Sequence, residues 1–426
     1  MKEEQITFRD LGLFPALVNA LSAQGITDPF PIQAATIPDA IAGHDILGRG
    51  QTGSGKTLAF GLALLHNIKA EKAKARRPIS LILAPTRELA LQINEVLAPL
   101  AKTVGHESVV IAGGMPYEKQ VNALKRGVAI LVATPGRLID LLEKQELKLD
   151  ALQIIVLDEA DQMADMGFLP AVKQILNQSK KDGQRLLFSA TLDKGVDGLV
   201  RQYLREPKTH EVKEIEGTKE KTDHYVFVID QNDKAEIANQ IAAREGKSIF
   251  FVRTKRGADR LASRFLTAGI KVGVLHSGKS QAVRTKTLER FKEQDSAVLV
   301  ATDVAARGIH VDGIDLVVHF DAPEDQKDYL HRSGRTARAG KTGRVVTLAT
   351  RQEQRAIAGI ALRAGIETWV MAIRPSDEKL MTITGARQPS GIPIREDKPA
   401  TPKKPHRGSK PKAQRKRKRT RSRRAS

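Results

Sequence analysis

The sequence predicts an α/β protein of two tandem domains, each a parallel sheet flanked by helices, followed by a disordered basic tail. Three features lead there. Short, continuously apolar, β-rich runs alternate with helical patterns, which is how strands buried on both faces of a sheet read. The alternation occurs twice, on either side of a polar, weakly periodic stretch, "EVKEIEGTKEKTD" (211–223). Residues 398–426 hold 14 of the 70 Lys and Arg and none of the 49 Asp and Glu, leaving +7 of the total +21 on the rest of the chain.

The first series of strands is "ISLILAP" (79–85), "SVVIAGG" (108–114), "AILVATP" (129–135), "IIVLDEAD" (154–161) and "QRLLFSAT" (184–191). The second is "HYVFVID" (224–230), "SIFFVRT" (248–254), "KVGVLHSG" (271–278), "AVLVATD" (297–303), "IDLVVHFD" (314–321) and "GRVVTLAT" (343–350). Each half contains an apolar strand ending in "VAT". The expected divisions are a first domain over 1–210, a linker over 211–223, a second domain over 224–375 and a tail over 376–426. The segment 353–373 is read as packing on the second domain, with association between copies as the alternative. Two similar halves joined by a linker imply a cleft, and ligands of open α/β sheets bind beyond the carboxyl ends of the strands.

Composition removes several classes. The chain has no cysteine, so disulfides and thiolate metal sites are excluded. The segment "MKEEQITFRD" has neither the basic nor the apolar region of a signal peptide. Apolar runs such as "LAFGLALL" (58–65) fall far short of the ~18–20 residues of a membrane span. A soluble, cytoplasmic protein with no membrane partner is expected. The tail lacks apolar periodicity and repels itself, so it is read as disordered. It suits a tether to polyphosphate, since each cation near a phosphate releases counterions. A solubilising role, or an anionic membrane surface, is the alternative.

The stretch "GQTGSGKT" (50–57) lies between a short apolar segment and a helical run. Its glycines let backbone N–H groups of Gln51, Thr52, Gly53, Ser54 and Gly55 close around phosphates, and the helix N-terminus adds a favourable dipole. Lys56 is placed for the β- and γ-phosphates and the Thr57 hydroxyl for Mg²⁺. Asp158 and Glu159 follow the apolar run Ile154-Ile155-Val156-Leu157. Carboxylates beside a dry core need a positive partner. In a nucleotide site Asp158 holds the metal and Glu159 orients or deprotonates the attacking water. The plainer role is a helix N-cap, and geometry allows both.

Residues 158–161 spell D-E-A-D, and with the phosphate loop the chain resembles the DEAD-box RNA helicases of superfamily 2 over roughly 8–350. It looks most like bacterial members with a compact core and a basic tail. The resemblance implies two RecA-like domains that close over ATP and RNA, with Mg²⁺ as the metal. It implies RNA-stimulated ATP hydrolysis coupled to local unwinding of short duplexes or remodelling of RNA–protein complexes. Phe8 is implied to stack on adenine, and Gln33 of "GITDPFPIQ" (25–33) to read the base edge. Here Phe30 and Gly50 replace a usual Thr and Ala.

For RNA, the resemblance implies Pro85, Thr86 and Arg87 of "PTRELA", Gly114 of the Gly113-Gly114 pair, and Thr134, Pro135, Gly136 and Arg137 of "TPGR". In the second half it implies Gly278, Arg284 and Thr302. Ser189 and Thr191 of "SAT" would couple hydrolysis to strand separation. Arg335 and Arg338 of "HRSGRTAR" (331–338) would be fingers reaching the γ-phosphate, a role typically worth ~10³–10⁵ in rate. Gly308 and His310 in "ATDVAARGIHVDG" (301–313) fall at the ATP ribose, where the family has Asp in place of His310. An imidazole is not an anionic double acceptor. Nucleotide-driven closure is therefore expected to be weakened, or to be sensitive to pH; the alternative is that His310 bonds the ribose and little changes. Ser277, Ser333 and Ala337 are further departures, expected to be minor.

With 4% aromatic residues and a single Trp369, broad base-stacking platforms are not expected, so contacts should go to the RNA backbone. Ribosome assembly, RNA decay and cold adaptation all fit. Other classes are a non-turnover RNA clamp or annealing chaperone and a DNA-directed translocase.

Overall fold

The computed structural model describes residues 6–50, 53–68, 72–212, 222–306, 311, 313–337 and 342–394. Seven strands make the first sheet: β1 (Ile46–Arg49), β2 (Ser80–Leu83), β3 (Ser108–Ile111), β4 (Ile130–Ala133), β5 (Ile154–Leu157), β6 (Gln184–Ser189) and β7 (Lys208–Glu211). They lie in the order β3-β4-β2-β5-β6-β1-β7, and every pairing is parallel.

The second sheet contains β8 (Thr222–Val228), β9 (Lys247–Phe251), β10 (Val272–Leu275), β11 (Ala297–Ala301), β12 (Ile314–His319), β13 (Gly343–Ala349) and β14 (Trp369–Ala372). Its order, β10-β11-β9-β12-β13-β8-β14, repeats that of the first sheet strand for strand. The two "VAT" strands are β4 and β11, which hold equivalent places. Thr134 and Thr302 therefore stand at matching carboxyl ends.

Continuous apolar strands are what a sheet covered on both faces requires. In β2 and the residue after it, Leu81 and Leu83 join one core cluster while Ile82 and Ala84 join another. In β11, Val298 and Val300 face one core and Leu299 and Ala301 the other. The period-2 alternation thus divides each strand between two apolar layers. Three edge or near-edge strands escape that reading. Strand β7 is nearly all exposed and β14 is largely exposed, while β1 is buried over three of its four residues but sits among polar and glycine residues that leave only a short apolar segment to read.

The expected tail boundary at 376 is corrected. Residues 376–394 pack on the second domain through the helix Glu378–Thr384, whose Leu380 is fully buried, and Ala386 joins the same core. Backbone bonds from Arg387 to Gln240, from Gly391 to Ala268 and from Ile394 to Leu266 fasten the segment. Residues 395–426 and 213–221 lie outside the described residues. Among the described residues no helix is long and apolar enough to cross a membrane.

Candidate functional site

The phosphate loop turns at Gly53 (φ 96°) and Gly55 (φ 87°), backbone angles that side chains rarely adopt, before the helix Lys56–Ile68 begins. Lys56 is buried, and its Nζ donates to the Gly50 carbonyl at 2.5 Å, curled into the loop it serves. Gln33, also buried, donates from Nε2 to Gly55 O at 2.9 Å and accepts from Phe30 N at 2.8 Å. A Cβ on Gly55 would come within 2.5 Å of that amide, so the loop's glycine admits Gln33. Phe8 does not occupy the expected place: it is 1% exposed inside the first core and offers no ring face to a base. Phe30 is the aromatic standing open beside this loop, 57% exposed and close enough to crowd a Cβ at Gly55. Gln51 and Thr52 lie outside the described residues.

Strand β5 ends at Leu157, and Asp158 follows it where two neighbouring acids and a lysine meet a nearly dry environment. Burial, reinforced by Glu159 and partly offset by Lys56, pushes the Asp158 carboxyl up to about 7. Glu159 takes a left-handed conformation (φ 51°, ψ 51°), costing about 1–2 kcal/mol for a residue with a Cβ. Such strain collects where function fixes the backbone. Asp161 ties this loop to the end of β6. It accepts from Thr191 N and Oγ1 at 2.9 Å each, while its own N–H donates to Ser189 Oγ at 3.3 Å. Ser189 Oγ donates to Thr191 O at 2.7 Å, and Gly50 N donates to Ser189 O at 3.3 Å. Phosphate loop, acidic loop and "SAT" segment are therefore one hydrogen-bonded unit.

In the second domain, the helix Gln326–Ser333 leads into the arginine segment. Arg332, 2% exposed, makes a bidentate pair with Asp303 (2.6 and 2.9 Å) and donates to Asp321 O at 2.7 Å. It is structural, and it anchors Arg335, which is buried and bonds His331 O at 3.3 Å. Arg338, Gly308 and His310 lie outside the described residues.

A cleft of about 530 Å³ runs between the domains. Pro85, Thr86, Arg87, Thr134, Gly136 and Arg137 line it from the first domain, and Gln281, Arg284 and Val304 from the second. Gly114 adjoins it, because a Cβ there would sit 2.8 Å from Arg87 Nη1. Pro135 opens the helix Pro135–Glu143 under the lining. Gly278 lies three residues beyond β10, Thr302 directly follows β11, and neither lines the cleft. Arg284 Nη2 lies 3.1 Å from Glu88 Oε1, which also accepts from Gln281 at 2.9 Å, so this arginine links the domains. Burial lowers the Arg87 guanidinium, Glu88 opposing and Arg284 adding to the shift. Three buried guanidinium nitrogens, Arg87 Nη2, Arg137 Nη1 and Arg284 Nε, have no hydrogen-bond partner. An unsatisfied buried donor costs about 1–3 kcal/mol, more when charged. An anionic acceptor in the cleft would offset that cost once these side chains turn toward it, alongside the carboxylates of Glu88 and Asp140 in the lining.

Sequence reasoning missed Glu88, Gln281 and Phe30. The i, i+3 spacing of Gln281 and Arg284 on one helix face was the available signal for Gln281.

A family model described as DEAD/DEAH box helicase matches residues 30–199, and one described as helicase conserved C-terminal domain matches 232–340. Among solved structures, S. cerevisiae Dbp5 bound to RNA and ADP BeF3 is 29% identical with a TM-score of 0.78, covering 89% of this chain and 99% of that one. A single-residue variant of it, also bound to RNA and ADP BeF3, is 30% identical with a TM-score of 0.77, covering 86% and 95%. Mss116p bound to ssRNA and AMP-PNP is 27% identical with a TM-score of 0.76, covering 90% and 82%.

Proposed function

The chain belongs to the DEAD-box RNA helicases, and from that premise we propose which of its residues perform the reaction. It is an ATP-dependent RNA helicase, an RNA-dependent ATPase that binds nucleotide. The proposal concerns the division of labour, and the cleft with its three unpartnered guanidinium nitrogens carries it.

Phosphates of one RNA strand fill those three donors, from Arg87 and Arg137 on one domain and Arg284 on the other. Thr86, Gly114, Thr134, Pro135 and Gly136 shape the first wall, with Gly278 and Thr302 extending the second. Because donors come from both domains, bound RNA favours closure, and closure completes the ATP site, giving reciprocal coupling. Lys56 exchanges the Gly50 carbonyl for the β- and γ-phosphates, and Gln33 exchanges the Gly55 carbonyl for the adenine edge. Phe30, not Phe8, supplies the aromatic face.

Asp158 and Thr57 would hold Mg²⁺. No cluster of three acidic or imidazole ligands occurs among the described residues, which suits an ion that takes one or two carboxylates and completes its shell with phosphate and water. Asp158, with its carboxyl raised to about 7 by burial, is the kind of group a dication would hold ionised. When bound there, the ion would supply positive charge against the phosphates. Glu159 takes the proton of the attacking water. Arg335 and Arg338 neutralise charge developing on the γ-phosphate, and Asp161, Thr191 and Ser189 pass loop movement to the RNA wall.

Contacts confined to the backbone give little sequence preference, and the tail over 398–426 adds electrostatic affinity. The proposed setting is cytoplasmic, in ribosome assembly or RNA decay. The test is displacement of a short RNA strand from a duplex. ATP with the unaltered protein should release the strand within minutes, and the Arg87→Ala, Arg284→Ala and Glu159→Gln variants should not. Equal release by Glu159→Gln would point to a passive RNA clamp.

A further inference from the structure

Lys327 opens the helix that leads to Arg335, and nothing in the site described so far uses it. Its Nζ lies 2.6 Å from Asp165 Oδ1 and 2.6 Å from Asp193 Oδ2, both on the other domain. Asp165 ends the helix Ala160–Asp165 that begins in the acidic loop. Asp193 lies two residues beyond Thr191 and caps the helix Lys194–Tyr203, accepting from Gly195 and Val196 N–H at 2.9 Å each. One ammonium of the second domain thus grips the two segments that leave the catalytic loops of the first.

The contact is half-sheltered: the bond to Asp193 is partly buried, while the bond to Asp165 lies at the surface. Side-chain exposure is 20% for Lys327, 22% for Asp165 and 35% for Asp193. Burial alone would lower the Lys327 ammonium, but the bonds from Asp165 and Asp193 outweigh it and the net shift is upward. Burial would likewise raise Asp193, yet the Lys327 bond and its capping N–H groups leave it below the usual carboxylate range. Because its cap already fixes Asp193, little side-chain freedom is lost when the pair forms, unlike a typical exposed pair.

We propose that Lys327 is a positioning residue: an interdomain latch that holds the arginine-bearing helix against the nucleotide site when the domains close. It rests on the helicase function above. Separation of the domains breaks both bonds and returns three charged groups to water, so the latch acts only in the closed state. By linkage it tightens whatever else favours closure. Lys327 touches no substrate; it acts through Arg335 and the two aspartates.

The experiment uses the full chain. The absence of native cysteine lets one label each be placed at Gln174→Cys and Ser263→Cys, exposed positions on the two domains. Energy transfer with ADP, beryllium fluoride and RNA then reports the closed fraction without hydrolysis. Lys327→Ala should raise the RNA concentration for half-maximal closure, and for half-maximal ATPase, by about tenfold, leaving kcat at saturating RNA within about twofold. Asp165→Lys alone, which sets two cations face to face, should do the same or worse. The pair Asp165→Lys with Lys327→Asp restores one opposite-charge contact but sets a carboxylate against Asp193, so it should recover part of the loss and fall short of the sum of the two single effects. Unchanged half-saturation in Lys327→Ala, or losses that simply add in the double variant, would overturn the latch. Missing RNA stimulation in the unaltered protein would count against the helicase function instead, while the closed fraction still judges the latch.

Discussion

Replacing Arg137 with Ala removes one of the three unpartnered guanidinium donors without cutting a bond between the domains. Its Nη1 is buried and unpaired, its Nε lies 3.6 Å from Asp140, and its guanidinium carbon sits 5.6 Å from the Tyr117 ring centroid. A hydrogen bond from a charged donor is worth roughly 1.5–3 kcal/mol. The side chain is 18% exposed and Asp140 competes for it, so the lower part of that range applies, about 1.5–2 kcal/mol. RNA affinity should therefore fall about 10- to 30-fold. For a single strand, one lost phosphate contact also flattens the salt slope, log K against log salt, by about 0.7. The assay is ATPase titrated with RNA at several salt concentrations, beside direct binding of a labelled single strand. The half-saturating RNA concentration should rise and kcat at saturation should hold, because Arg137 lies outside the ATP site. Arg137→Lys should recover the salt slope but only part of the affinity, since an ammonium lacks the planar fork. A kcat that collapses at unchanged RNA affinity would refute the assignment of the cleft.

Three other outcomes follow from the same geometry. Thr191→Val removes the hydroxyl donated to Asp161 at 2.9 Å and keeps the shape; RNA-stimulated ATPase should stay within about threefold while strand displacement drops about tenfold, and parallel losses would count against a relay. Burial lowers the His224 imidazole to about 4, against a weak upward pull from Asp223. The unfolded chain binds that proton near 6.5 and the folded one resists it until about 4, so stability is full above about 6.5 and is lost as pH falls, by about 2 kcal/mol at pH 5. Urea unfolding at pH 7 and 5 should show this, and His224→Gln should shrink the difference; an unchanged difference would mean that His319, shifted the same way, dominates. At His310, substitution to Asp should tighten ATP binding in the presence of RNA, and unchanged affinity would mean that the imidazole already serves the ribose.

Sequence legibility followed burial. Strands covered on both faces announce themselves as apolar runs, and β2, β4, β5, β6, β9, β11, β12 and β13 were readable for that reason. The "VAT" echo, too short to prove a repeat, falls on strands that the two sheets place equivalently. By contrast β7, "KTHE", carries the pattern of a solvated surface, and nothing in hydropathy separates a polar edge strand from a loop. The segment after 376 reads as polar coil because only Leu380, Thr384 and Ala386 of it are deeply buried.

At the site, residue types clustered by glycine and charge gave the phosphate loop and the acidic strand end. Tertiary placement decided the rest. Phe8 and Phe30 are the same residue type a short distance apart, yet one fills the core and the other faces solvent. Lys327 pairs with Asp165 and Asp193, 162 and 134 positions away, a relation no local pattern encodes.

The central claim is that RNA seated across both domains switches on hydrolysis at Asp158 and Glu159. Steady-state ATP hydrolysis measured with no nucleic acid, with structured RNA and with matched DNA, for the native chain and for Glu159→Gln, tests it most directly. Strong stimulation by RNA alone, abolished in the variant, is the predicted result. Equal rates under all three conditions, or stimulation that survives in Glu159→Gln, would contradict it.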